Sequence, residues 1–388
     1  MGLRTRSAAA GVVLALVILL LGGRAPRATA SGCSGVKVKP ATRLQSVIDR
    51  HPPGTTFCMA SGTYRIMTAI EPKDRDRFVA VRPRRAILTG GHTTSMAFDA
   101  NGVAGVVVKG LVITRFAPPD QGGMAALKAA GHWRIINNVI SYNDNTGLYH
   151  EGDSLIRGNY IHHNGKIGLG GFEANNSIIE DNEVAFNGLA GGPDNGGSKW
   201  VGATGLTIRN NYFHDNSGNA LWVDGDNLNV TVEGNTVTSN QEEGIQYEIS
   251  CAGVVKNNRV RGNGGAGIEV TASQNVEVFG NILRGNGKGV SVWHQDRGSG
   301  TNCPWTLNNV RIHDNTIRMR RGYTGLQAFN VSDGDSIFDP SDGRVRFYSN
   351  TYYLSGGEKH FHWASNLRAI SEWKGYGQDV NGTFNVTA

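Results

Sequence analysis

No histidines and cysteines in this chain stand at metal-ligand spacing, no serine sits in a nucleophile elbow, and there is no glycine-rich phosphate loop. Those absences leave no case for a zinc centre, an α/β-hydrolase nucleophile or a nucleotide cradle. Charge of one sign is also scarce. The formal net charge is +6, but residues 1–30 hold Arg4, Arg6, Arg24 and Arg27 and no acid, so the remainder carries only +2. A nearly neutral mature chain gives no electrostatic reason to expect nucleic acid. Long apolar runs are confined to Ala8–Gly23. Two arginines precede that run and Ala28-Thr29-Ala30 follows it as a small-x-small cleavage site, so residues 1–30 read as a signal peptide. An uncleaved anchor is the alternative, since a run of that length falls just short of a span. Mature protein is expected to begin near Ser31, secreted or at the cell surface, with no stable membrane insertion and as a monomer.

Cysteine is limited to four residues. In an exported chain they predict two disulfides with three connectivities open. The favoured pairing is Cys33–Cys58 closing the N-terminal cap, with Cys251–Cys303 pinning a long loop to an earlier coil. Aromatic residues make up 8% of the chain against 54 glycines, which suits a backbone that turns every few residues.

What is present in abundance is paired asparagine. Seven times, two asparagines stand five apart with an apolar residue between them, followed by a small-residue turn and an apolar strand. The leading members are Asn138, Asn159, Asn182, Asn211, Asn235, Asn258 and Asn281; the trailing ones run from Asn143 to Asn286. Spacings of 21 to 29 residues mark a solenoid with one coil per repeat. An asparagine stacked on its own kind donates and accepts amide hydrogen bonds along the stack. The fold class is therefore all-β, a single-stranded parallel β-helix of about ten coils with short helical caps. Its expected parts are an N-terminal cap and first coils over 31–104, the solenoid over 105–364 and a C-terminal cap helix and tail over 365–388. Leu44, Val47 and Ile48 at helical spacing mark the first cap helix within 42–50. Leu367, Ile370 and Trp373 mark the second, within 365–376. Insertions at 188–198, 296–305 and 330–343 interrupt the coils and are expected to project from one face.

The coil register says which side chains share a surface. Aligned on Gly147, Gly168, Gly197, Ala220, Gly244, Gly267, Gly289 and Gly325, the strand after each pair alternates inward and outward residues. Leu221, Val223, Ile245, Tyr247, Ile268, Val270, Val290 and Val292 point inward. The outward positions gather Lys199, Trp222, Asp224, Gln246, Glu248, Glu269 and Trp293 within five coils. Gln327 aligns with Ser291 in this register. Carboxylates beside flat aromatic rings suit a carbohydrate site, with acids to move protons and rings to stack on sugar faces. The plain alternative is a solvated sheet face. Asp224 and Glu248 fall at one register position in neighbouring coils, about 4.8 Å apart. Two carboxylates so close should have their pKa values pushed apart. A separation of about 5 Å fits retaining glycosidases rather than inverting ones.

Weaker signals lie elsewhere. Asp224 and Asp226 do not open an EF-hand, because position twelve would be Asn235; Asp226-Asn227 reads as a turn. Asp333, Asp335, Asp339 and Asp342 form either a calcium loop or a solvated one. His294 alternates inward, and His162 and His163 sit away from the strip.

The repeat resembles the pectate-lyase-like right-handed parallel β-helix superfamily, in which the strand after this asparagine turn lines the substrate groove. Leu221-Trp222-Val223-Asp224, with Tyr247-Glu248-Ile249-Ser250 one coil later, further resembles the β-xylosidase family of β-helix glycoside hydrolases. That resemblance implies an Asp224 nucleophile and a Glu248 acid/base; the outward strip supplies Lys199, Trp222, Gln246, Glu269 and Trp293 as the expected contacts to a poly- or oligosaccharide, with no cofactor expected unless Ca²⁺. Two rivals remain. One is a lyase or epimerase on a uronic-acid polymer, with Ca²⁺ held by Asp224, Glu248 and Glu269 and Lys199 as base. The other is a carbohydrate-binding protein without catalysis.

Overall fold

A computed structural model describes residues 32–192, 194–329, 334–356 and 359–387. The segment read as a signal peptide lies outside them. Within them the chain winds into a parallel β-helix of three sheets with 13, 13 and 12 strands. Successive coils lay their strands in the same order, so a residue in one coil pairs with its counterpart one coil on. The coils outnumber the expected ten because those before Asn138 carry no asparagine ladder and leave no repeat in the sequence.

The ladder itself is as expected and longer. Asn159 Nδ2 donates to Asn182 Oδ1 at 2.9 Å, Asn182 to Asn211 at 2.9 Å, and the relay continues to Asn281. It then runs on through Asn315 and Asn350, and Asn350 ends it by donating to Asp379 at 3.0 Å. Asn315 and Asn350 escape the pair pattern because Arg320 and Ser355 stand five residues later. Each ladder amide also donates to a backbone carbonyl, as Asn211 does to Ile179 at 2.9 Å, so a buried polar row is satisfied throughout.

The turns explain the composition. The residue before each ladder asparagine has positive φ, for example Asn137 at 55°, Gly158 at 67°, Asp181 at 56° and Gly234 at 64°. Asparagine, aspartate and glycine tolerate that region best. At Gly158 an added Cβ would also stand 2.3 Å from Asn137 Oδ1. Inside the coils, Leu221, Val223, Ile245, Ile268 and Val290 are fully buried, as the alternation predicts.

Both cap regions bury apolar side chains at the solenoid ends. The first helix, Leu44–Asp49, buries Leu44, Val47 and Ile48. The second is shorter than expected. Asn366–Arg368 is a strand antiparallel to Phe361–Trp363, leaving Leu367 43% exposed, and the helix spans only Ile370–Gly375. Trp373 is its anchor, stacked on Phe361 at 4.9 Å between ring centres. Thr383–Thr387 then closes the second sheet as its last strand. Cys33 pairs with Cys58 and Cys251 with Cys303, the favoured connectivity.

Candidate active site

The third sheet's outward face carries the predicted strip. Lys199, Trp222, Gln246, Glu269 and Ser291 pair in successive strands, and one step along the same strands Asp224 pairs with Glu248. The flanking Leu221, Val223, Ile245 and Tyr247 point into the core, so the alternation that builds the coil turns the others outward, with Lys199, Trp222, Asp224, Gln246 and Glu248 half-buried and Glu269 and Ser291 buried. One strand departs from the expected register. Ser291 pairs with Gly325 and Trp293 with Gln327, a shift of two residues, because the turn after Arg318 is as long as the one after Arg284 and Tyr323, not Gly325, stands opposite Gly289.

The two stacked carboxylates occupy different surroundings. Asp224 Oδ2 lies 2.7 Å from Lys199 Nζ, and the same ammonium reaches Asp194 Oδ1 at 2.5 Å. Lys199 also sits 3.7 Å from the Trp222 ring centre, a cation–π contact. Burial opposes the lysine's charge, yet Asp194 and Asp224 together hold its pKa above the ordinary value. Glu248 accepts from Trp222 Nε1 and Gln246 Nε2 at 3.0 Å each, while Arg297 caps its other oxygen. Its pKa is nonetheless raised, by burial first and then by the Asp224 charge, with Arg297 and Trp222 opposing. Glu269 accepts from Trp293 Nε1 at 3.0 Å and is pushed up to about 7, by burial and then by Glu243.

Two partners of these groups carry no motif. Asp194 belongs to the glycine-rich insertion and Arg297 to the 296–305 insertion. Only the placement of those insertions on one face hinted at them. The second is tied down twice: by the Cys251–Cys303 disulfide, and by Asp226, whose carboxylate accepts from Thr301 N at 2.8 Å and Asn302 N at 3.1 Å. Asp226, with φ of 58°, is thus the expected turn and also the anchor that carries Arg297 to Glu248.

Upstream along the same face lies a cavity of about 290 Å³ lined by Tyr149, Lys166, Gly170, Phe172, Asp194 and Lys199, among others. Gly170 pairs with Tyr149 on one side and Lys199 on the other, so its missing side chain opens the gap. Lys166 reaches Asp120 at 2.5 Å across it. Burial, then the charges of Glu151 and Glu173, push the Tyr149 phenol up to about 12.

A cation fits this donor set poorly. The oxygens of Asp224, Glu248 and Glu269 already accept from ammonium, guanidinium, amide or indole hydrogens, and Lys199 stands where a metal would have to sit. No group of three potential metal ligands converges among the described residues. In the third insertion, Asp333 lies outside those residues. Asp335 caps a short 3₁₀ turn, Asp339 accepts from Ser341, and Asp342 accepts from Arg344. His294 is packed inward and buried, with burial and then Arg344 holding its pKa down. His162 and His163 contact one another at 2.8 Å on the second sheet, apart from the strip.

The sequence pattern described as the right-handed beta helix region matches residues 122–253 and 195–317. No curated protein matches the chain significantly. Among solved structures, the chain is similar to the A-module of the Azotobacter vinelandii mannuronan C-5 epimerase AlgE6. The TM-score is 0.63 at 17% identity, over 92% of this chain and 98% of that one. It is similar to XylC, solved in complex with xylose, with a TM-score of 0.63 at 13% identity over 84% and 83% of the two chains. It is also similar to the catalytic unit of the α-1,3-glucanase from Streptomyces thermodiastaticus. There the TM-score is 0.56 at 14% identity, over 92% of this chain and 66% of that one. Identities this low speak for fold alone. The parallel coils, the unbroken ladder and the matched pattern together place the chain in the right-handed β-helix family.

Proposed function

We propose that this protein is an exported glycoside hydrolase that cleaves a poly- or oligosaccharide with retention of configuration. The observation that carries the reading is the unequal environment of Asp224 and Glu248, two carboxyls in register on an open face. Lys199 holds Asp224 beside a positive charge at 2.7 Å, whereas burial and Asp224 itself push the Glu248 pKa upward. Paired carboxyls in such unlike surroundings divide the work, the one beside the ammonium serving as nucleophile and the one whose pKa is raised serving as acid.

In the first step Asp224 attacks the anomeric carbon while Glu248 protonates the leaving oxygen. A glycosyl ester on Asp224 results. Glu248, now ionised, takes a proton from water as the water opens that ester, and it is returned protonated for the next cycle. Trp222 and Trp293 offer ring faces to neighbouring sugars, and Gln246 and Lys199 offer donors to hydroxyls. Glu269, pushed up to about 7, keeps its proton below that pH and there donates a hydrogen bond to the sugar beyond. The similar structures named above, which include an epimerase, a xylose complex and a glucanase, are consistent with a carbohydrate substrate.

The lyase or epimerase reading needs a base for an α-proton. Lys199 is held in its charged form by two aspartates and Tyr149 ionises only near 12, so neither is poised to accept a proton at neutral pH. A glycan panel tests the choice. The proposal expects new reducing ends without unsaturated uronate and with full activity in a chelator. Unsaturated product or a Ca²⁺ requirement would overturn it.

A further inference from the structure

The outward face of the second sheet has an unusual charge order. Arg261, Arg284 and Arg318 pair in register in three successive strands, so three guanidinium groups rise from one column. Coil spacing puts like charges about 4.8 Å apart at the backbone, an arrangement that destabilises a sheet. Arg259, Arg320 and Arg321 flank the column, and all six are exposed. None of the six has a carboxylate partner among the described residues; Arg318 instead lies 4.6 Å from the Tyr353 ring centre.

The first sheet shows what this fold does with charges that only need solvating. There Arg157, Glu180, Arg209, Glu233 and Lys256 alternate in sign along one column. Arg209 reaches Glu180 at 2.7 Å and Lys256 reaches Glu233 at 3.1 Å. The arginine column of the second sheet forgoes that pairing. The sheet is also not flat. Two recesses of about 600 Å³ each share Arg284: one holds Arg259, Arg261, Tyr212 and Ile282, the other Arg318, Arg320 and Arg321. No acid lines either recess. The second ends at Asn286 and Gly287, one residue before Lys288, whose ammonium lies 5.3 Å from the Trp293 ring on the groove face.

We propose that this arginine face is a docking surface for a linear acidic polysaccharide, distinct from the groove and continuous with its edge. A charge row repeating once per coil matches a polymer bearing about one carboxylate per sugar, given a coil spacing of about 4.8 Å. Exposed Tyr212 and Ile282, at 41% and 43%, supply the apolar patches that sugar rings stack against, which a phosphate backbone would not need. The surface would hold an anionic glycan beside the groove whatever chemistry the groove performs.

Binding without turnover separates this claim from the catalytic one. In a Glu248→Gln background, fluorescence anisotropy with a labelled oligogalacturonate should show saturable binding that weakens as salt rises. Neutral dextran should not compete. Arg261→Ser/Arg284→Ser/Arg318→Ser should lose about tenfold or more in affinity, a change of roughly 1.4 kcal/mol or above, with an unchanged melting curve. Should that triple variant unfold, Arg284→Glu alone is expected to give the same loss. Affinity unaltered in both variants would overturn the proposal. So would equal competition by dextran, or tighter binding of a short DNA duplex or of phosphatidylglycerol vesicles than of the oligogalacturonate.

Discussion

The first and third sheets are stacked in the same parallel coils, yet they spend their charges in opposite ways. On the first, Glu180 sits between Arg157 and Arg209, and its pKa is lowered by the Arg209 hydrogen bonds above all. On the third, Asp224 faces Glu248, and Glu248 and Glu269 are both shifted upward by burial and like charge. A stacked parallel sheet offers every coil the same choice. Where only solvation is needed, alternation of sign is the cheaper arrangement. Like charges in register, half-covered by two insertions, are retained at a cost and therefore point to chemistry.

The largest contrast between the two faces should be in activity. Asp224→Asn and Glu248→Gln should each lower hydrolysis by roughly 10²–10⁴-fold, while Glu180→Gln leaves it unchanged. Rates on the glycan substrate found by panel screening check this. Equal losses in all three would erase the distinction.

Stability should follow side-chain direction rather than sheet. Leu221 is fully buried, and truncating it to Ala should cost about 2–5 kcal/mol. Its neighbour Trp222 faces the groove, so Trp222→Ala should weaken substrate binding and change the melting temperature far less. Denaturant titrations of the two variants measure the difference.

The pH dependence of stability should have opposite sign on the two faces. Glu180, with its lowered pKa, contributes stability above the ordinary carboxylate range, which is lost as pH falls through its folded value. Glu269 holds its proton more tightly folded than unfolded. Its contribution is full below the ordinary value of 4.5 and is lost as pH rises through about 7. Glu269→Gln should therefore flatten the decline between those values, by the order of 1–3 kcal/mol. Glu180→Gln should instead flatten only the acid limb. Urea midpoints across a pH series read both.

The ladder made most of this fold legible, because an asparagine must recur once per coil to satisfy the one before it. Where that requirement lapses, the sequence loses its grip. The first coils, before Asn138, have no asparagine pair to set their number, and in the last aligned coil Tyr323 rather than Gly325 takes the leading place, a difference of two residues. Leu367 looked like a helical core position, but strand pairing with His362 turns it toward solvent. At the site, Asp224, Glu248 and the tryptophans follow from alternation alone. Asp194 and Arg297 do not, since their positions are set by insertions whose path depends on Asp226 and the Cys251–Cys303 link. The arginine column was equally invisible, because its members lie 23 and 34 residues apart and only pairing brings them together.

The most direct test of the account is the configuration of the first-formed product, followed by ¹H NMR before mutarotation erases it. With Asp224 as nucleophile and Glu248 as acid/base, wild-type protein should release a sugar of retained anomeric configuration. Glu248→Ala with azide should yield a glycosyl azide of that same configuration, because azide replaces water on the ester when the general base is missing. An inverted product, or full activity in Asp224→Asn, would contradict the account and leave Glu269 as the carboxyl to examine.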